Sequence, residues 1–206
     1  IALGAWNDML LTDYLDEAVA SAAGRPAIVT YRMAEGSHDS LSYAELNEKV
    51  TRMAAGLAGL GVAKGDVVSC QLPNWWQMTA LHLACIRIGA VLNPLMPIFR
   101  EHELRFMLAQ AESKVFVVPG VFRGFDHAAM ARGLKAELTA LEQVLVVGGE
   151  GPDSFENTLL ERAWERETDT AELFRERRPG GDDVVQLLYT SGTTGKPKGA
   201  LHAHRV

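Results

Sequence analysis

The sequence predicts an α/β fold: a doubly wound, mostly parallel sheet with helices on both faces. Three observations predict it. From Val67 to Val147, short β-branched apolar runs alternate with stretches whose apolar residues recur at helical spacing. The strand-like runs are apolar on consecutive residues, as strands buried on both faces are, and do not alternate with polar ones. Glycine- or proline-bearing turns separate the two kinds of segment, the pattern of repeated βαβ units.

Taken in order, Leu10–Ala23 places Leu11, Tyr14, Leu15, Ala18, Val19 and Ala22 on one helical face, with Thr12 or Asp13 as the cap and Gly24-Arg25-Pro26 as the stop. Ala27–Tyr31 and Asp39–Leu41 read as a small hairpin across a polar turn. Ser42 with Glu45 three residues later is a capping-box pattern opening a helix over Tyr43 to Leu60, which Gly61 ends. Then follow a strand at Val67–Leu72, a helix at Trp75–Ile88, a strand at Val91–Leu95 and a helix at Glu101–Ala111. A strand at Lys114–Val118, a helix at Asp126–Leu141 and a strand at Gln143–Val147 complete the alternation. Residues 1–147 are therefore expected to form one α/β subdomain. Residues 148–183 open on Gly148-Gly149-Glu150-Gly151-Pro152 and carry dense mixed charge, the composition of a solvated connector with a short helix near Phe155–Trp164. Residues 184–206 return to apolar order as strand, loop and strand.

The 206 residues carry 20 Lys+Arg against 26 Asp+Glu, a formal net charge of −6 and a pI near 5.5. That balance argues against a dedicated partner among nucleic acids or anionic membranes. Thr79–Leu95 is the most apolar stretch, but His82, Arg87 and Asn93 interrupt it, so no membrane span is expected. No basic start precedes an apolar block, and the two cysteines, Cys70 and Cys85, sit among apolar neighbours, so reduced buried thiols and a cytoplasmic location are expected.

The most informative segment is Tyr189-Thr190-Ser191-Gly192-Thr193-Thr194-Gly195-Lys196-Pro197-Lys198-Gly199. An apolar strand ends in hydroxyl side chains interleaved with glycines, and two lysines follow. Polyphosphate binding asks for these parts: N–H groups that converge where glycine lacks a Cβ, hydroxyls that reorient to donate, and ammonium charge. From Val184 to Val206 there are three cations, Lys196, Lys198 and Arg205, and no acid, which leaves −9 on the rest of the chain. The Walker pattern fails, because Pro197 stands five beyond Gly192 and follows Gly195-Lys196 where a hydroxyl is required. Pro197 also removes an N–H and disfavours helix at Lys196, so the loop is expected to turn back between two strands.

Tyr189–Gly199 resembles the phosphate-loop signature of the adenylate-forming acyl-CoA synthetases, position by position. Leu41-Ser42-Tyr43-Ala44-Glu45-Leu46 and Gly89-Ala90-Val91-Leu92-Asn93-Pro94-Leu95 resemble two further segments of that superfamily, so the likeness runs along nearly the whole chain. Asn93–Leu108 and Arg123–Met130 look most like synthetases for medium-chain or cyclohexanecarboxylate-type acids. The resemblance implies part of the large N-terminal domain of an ATP-dependent, AMP-forming acid–CoA ligase. It further implies ATP, Mg²⁺ and CoA as cofactors, and a carboxylic acid as the small-molecule substrate. Thr190, Ser191, Gly192, Thr193, Thr194, Gly195, Lys196, Pro197, Lys198 and Gly199 would then bind the nucleotide phosphates, and Thr190 would also help hold Mg²⁺.

The superfamily's other segments, including an aromatic-Gly-x-Thr-Glu motif, the adenylation lysine and the CoA site, have no counterpart in these residues. No catalytic residue is therefore assigned here. The chain opens at Ile1 without Met and stops seven residues after Gly199, and is read as an N-terminal piece whose partner is the C-terminal part of the same enzyme. The other readings are a stand-alone, non-catalytic nucleotide or pyrophosphate-binding module, and an inert truncated fragment. His202 and His204 stand two apart on one predicted strand face, but no third ligand is near and the resembled superfamily holds no metal there, so a ligand role is not expected; Trp75 and Trp76 read as core packing, and His82 with Cys85 as a satisfied interior pair.

Overall fold

A computed structural model describes residues 9–32, 36–190 and 197–205. The elements in chain order are α1 (Leu11–Ala22), β1 (Pro26–Arg32), β2 (Ser37–Ser42), α2 (Tyr43–Gly59), β3 (Val67–Cys70) and α3 (Trp76–Arg87). Next come β4 (Val91–Pro94), α4 (Glu101–Gln110), β5 (Val115–Pro119), β6 (Val121–Phe122), β7 (Phe125–Asp126), α5 (His127–Glu137) and β8 (Gln143–Val147). A π-helical turn at Asn157–Glu161 and a 3₁₀ turn at Trp164–Arg166 lead to α6 (Thr170–Arg177), β9 (Val184–Thr190) and β10 (Lys198–Ala203).

The central sheet has the order β10-β9-β4-β3-β5-β8, parallel throughout except for β10, which pairs antiparallel with β9. β1 and β2 form a separate antiparallel hairpin, as do β6 and β7. The pleat of β5 shows how the sheet is covered, because successive side chains point to opposite faces. Val115 and Val117 join a cluster with Leu46, Val50, Met53 and Leu57 of α2 and Leu81 and Ala84 of α3. Phe116 and Val118 join the other, with Leu104, Met107 and Leu108 of α4 and Ala131 and Leu134 of α5. Helices thus lie on both faces.

Local chemistry explains most boundaries. The Ser42 hydroxyl accepts from the Glu45 N–H at 3.3 Å while the Glu45 carboxylate accepts from the Ser42 N–H at 2.8 Å, closing the capping box of α2. Gly61 follows with φ +89°, the left-handed residue that ends the helix. At α1 neither Thr12 nor Asp13 is the cap. Leu10 holds that position and Asp13 reaches back to accept its N–H at 2.8 Å, doing the same work from inside the first turn.

Other boundaries move. β3 ends at Cys70, two residues before the expected Leu72; the Gln71 N–H still donates to the Val117 carbonyl of β5 at 2.8 Å, while its side chain bonds the next loop. α5 ends at Glu137 and does not reach Leu141, since Leu138 turns extended (φ −102°, ψ 107°) and lets Leu141 bury under the same cluster as Val144. The helix expected at Phe155–Trp164 is a π-turn followed by a 3₁₀ turn. The charged 148–183 stretch is anchored by three buried side chains, Phe155, Leu159 and Trp164. The Trp164 ring lies against Gly56 and Gly59 of α2, where any Cβ would collide with it. Farther on, the stretch is tied down by charge: Arg178 pairs with Asp13 at 2.6 Å and Arg52 with Glu165 at 2.7 Å.

Candidate functional site

Because β3, β4, β5 and β9 are parallel, their carboxyl ends bring residues 71–75, 95–100, 120–126 and Thr190 to one edge of the sheet. From β3 the chain passes to α3 on one face, whereas from β4 and β5 it passes to α4 and α5 on the other. Strand ends that part to opposite faces open the crevice where doubly wound sheets take their ligands.

Thr190 is the last residue of β9 and is exposed; it pairs across the hairpin with Lys198, the first residue of β10. The Thr190 hydroxyl donates to the Lys198 carbonyl at 3.4 Å, a long bond that leaves its oxygen lone pairs available. Lys198 and Gly199 are exposed. A Cβ on Gly199 would lie 2.7 Å from Cδ1 of Leu187, so glycine lets β10 close on β9 here. The hairpin return expected after Pro197 is present. Ser191, Gly192, Thr193, Thr194, Gly195 and Lys196 lie outside the described residues.

The strand that carries Thr190 is fixed from beneath. The Tyr189 hydroxyl donates to the Met107 carbonyl of α4 at 3.0 Å, and its ring packs on the cluster containing Leu95 and Leu104. Leu92 of β4 lies level with Gln186 of β9, and beyond the end of β4 Leu95 and Tyr189 pack in one apolar cluster.

Two polar residues that no sequence pattern singles out meet at this edge. Gln71 and His127 are 0% and 1% exposed. Gln71 Nε2 donates to the carbonyls of Met96 (2.9 Å) and Phe99 (3.0 Å), and its Oε1 lies 3.1 Å from Nδ1 of His127. Burial, with the Arg100 charge second, holds the His127 ring below the ordinary imidazole range, so it is neutral near pH 7. The only hint in sequence is a glutamine at the end of an apolar strand.

The remaining expected residues fall elsewhere. β10 ends at Ala203, with an irregularity between His202 and Ala203, so His202 and His204 do not share a strand face. Among the described residues no group of three His, Cys, Asp or Glu side chains could hold a metal. Trp75 meets Phe122 edge-on at 5.9 Å and Trp76 lies under Lys49 at 5.2 Å; both are partly buried against the core. His82 and Cys85 are not a satisfied pair. Cys85 points into the apolar core, while Nε2 of His82 is buried without a hydrogen-bond partner among the described residues, and desolvation pushes that ring's pKa down. An apolar cavity of about 370 Å³ is lined by Val67, Val91, Val184 and Leu201. The first three open β3, β4 and β9, so it lies at the amino ends of the strands, away from Thr190.

Comparison with known proteins agrees with this geometry. The chain is 30% identical over 201 residues to the medium-chain fatty-acid–CoA ligase of Escherichia coli, covering 98% of this chain and 34% of that protein. It is 36% identical over 197 residues to the salicyl-AMP ligase/salicyl-S-ArCP synthetase of Mycobacterium tuberculosis, covering 96% of this chain and 34% of that one. Among solved structures, the anthranilate CoA ligase AuaEII in complex with anthranoyl-AMP superposes with a TM-score of 0.75 at 21% identity, covering 100% of this chain and 36% of that one. Mycobacterium smegmatis MbtA superposes with a TM-score of 0.72 at 30% identity, covering 99% and 35%. The chain thus spans about a third of the length of the curated relatives it matches. The profile described as AMP-binding enzyme matches residues 15–206, and the chain belongs to that family.

Proposed function

We propose that the chain is the N-terminal part of an ATP-dependent, AMP-forming ligase that activates a carboxylic acid as acyl-AMP and passes the acyl group to the thiol of CoA. The observation that carries this reading is the β9–β10 hairpin. It sets Thr190 and Lys198 opposite one another at the carboxyl edge of a parallel sheet and spans them with hydroxyl and glycine residues. The family match over residues 15–206 supports it over an isolated pyrophosphate-binding module. As the acid's carboxylate attacks the α-phosphorus, charge gathers on the departing pyrophosphate. Ser191, Thr193, Thr194 and the N–H groups of Gly192 and Gly195 would donate to those oxygens, and Lys196 and Lys198 would supply positive charge.

The exposed hydroxyl of Thr190 fits a single oxygen ligand to Mg²⁺, with the nucleotide phosphates filling most other positions, as this ion prefers. When bound, Mg²⁺ would neutralise the phosphate charge. For the acid, the likeness of residues 93–108 and 123–130 favours a medium-chain or cyclohexanecarboxylate-type substrate, in line with the E. coli relative's name.

The test is acid-dependent exchange of labelled pyrophosphate into ATP by the full-length protein across aliphatic, alicyclic and aryl acids, followed by thioester formation with CoA. Exchange with aliphatic or alicyclic acids is expected. No exchange with any acid would overturn the ligase reading, and exchange with aryl acids only would overturn the substrate class. The chain of residues 1–206 alone is expected to show none above a no-enzyme blank.

A further inference from the structure

We propose that Gln71 is a positioning residue for this site: its carboxamide, oriented by His127, holds the Met96–Arg100 turn and so sets the wall of the crevice beside Thr190. The inference deepens the ligase reading and rests on it.

The hydrogen-bond chemistry leaves Gln71 one orientation. Backbone carbonyls only accept, so the two that face the carboxamide, from Met96 and Phe99, must face its NH₂ group, and both of its hydrogens are then used. The oxygen is left toward His127, so Nδ1 of that ring must carry the hydrogen and donate. Both donors of the carboxamide and one lone pair of its oxygen are thus committed, and one side chain links the end of β3, the turn after β4 and the first residue of α5.

The turn needs such a tie. Met96 is 52% exposed and Ile98 66%, so of its large apolar side chains only Phe99 packs on the core. It is braced from the far side by Arg100, whose guanidinium lies 4.0 Å from the Phe125 ring and donates to the Pro97 and Phe99 carbonyls at 2.9 Å. β4 and β9 run parallel side by side, and Leu95, next to the turn, and Tyr189, next to Thr190, share one apolar cluster. A shift of the turn is therefore felt where the phosphate loop begins. The strand-end location is where the fold places ligands, so this buried bond has a reason to be polar: it fixes a geometry that apolar packing would leave adjustable.

The experiment compares full-length wild type with Gln71→Met, His127→Phe and His127→Asn. It measures KM for ATP and kcat in pyrophosphate exchange, melting temperature, and the ¹⁵N shifts of the His127 ring. Gln71→Met is expected to raise KM for ATP by roughly tenfold with kcat within about threefold, well below its melting temperature. His127→Phe moves KM the same way, whereas His127→Asn, whose side-chain N–H can replace the donor, stays near wild type. In wild type the ring nitrogens are expected to show the neutral Nδ1–H form. If Gln71→Met does not fold, the two His127 variants decide, and equal KM values for them overturn the proposal. A lowered melting temperature with unchanged KM, or the Nε2–H form of His127, also overturns it. Absence of exchange in wild type overturns the ligase reading and the proposal together, whereas active wild type with indifferent variants overturns the proposal alone.

Discussion

Thr190 and Lys198 face one another across the β9–β10 ladder, joined through the Lys198 carbonyl and not through its side chain. Among the described residues the ammonium group of Lys198 has no hydrogen bond or ion pair within the hairpin, and the residue is exposed. Lys198→Ala in the full-length protein is expected to lower pyrophosphate exchange by roughly tenfold or more. Its melting temperature should stay within about 2 °C of wild type, as for a surface change without packing. Equal losses in melting and in exchange would point to a structural lysine.

Gly89 carries a different demand. Its φ is +66°, and a Cβ there would sit 2.7 Å from the Arg177 carbonyl oxygen and 2.8 Å from Cγ of Lys64. The backbone carbonyl cannot swing away as a side chain can. Gly89→Ala is expected to destabilise by about 2–4 kcal/mol, the sum of a strained backbone and an overpacked contact, read from denaturant midpoints. A change below about 0.5 kcal/mol would show that the loop yields.

Asp13 joins two distant segments, accepting from the Leu10 N–H and pairing with Arg178 at 2.6 Å. The Arg178 guanidinium, above all, holds its carboxyl below the ordinary carboxylate range. A depressed value in the folded state means that the stabilisation is complete above the unfolded value and fades as pH falls through the folded one. The melting temperature should therefore drop below about pH 4, and Asp13→Asn should melt lower at neutral pH and lose less on acidification. Parallel pH curves for the two proteins would remove Asp13 from the acid transition.

Cys70 and Cys85 are buried free thiols. Burial pushes the Cys70 thiol up to about 12 and raises that of Cys85 as well, so almost no thiolate exists near neutrality. A thiol reagent at about pH 8 should label neither cysteine in the native protein and both after unfolding. Rapid native labelling would show that α3 opens locally.

Periodicity and capping chemistry were readable along the chain because they act over a few residues: Ser42 and Glu45 announce α2, and consecutive apolar residues announce β5. α6 was not readable, since half of its residues Thr170–Arg177 are charged and none of them is buried. Asp169 caps it by accepting from the Glu172 N–H at 3.0 Å. The likeness of Thr190–Gly199 to a phosphate loop was recognisable because such a signature is carried by residue types at fixed spacing.

The amino-acid order alone thus settled the α/β class, the helix and strand succession apart from α6 and the short β6–β7 hairpin, and the family, all of which depend on neighbours within a few residues or on a contiguous motif. Folding was needed to bring Gln71 to His127 across 56 positions, Trp164 onto Gly59, and Leu92 level with Gln186. Those pairings arise from strand order and crossover direction, which fix contacts between segments far apart in the chain and leave no local periodicity to read.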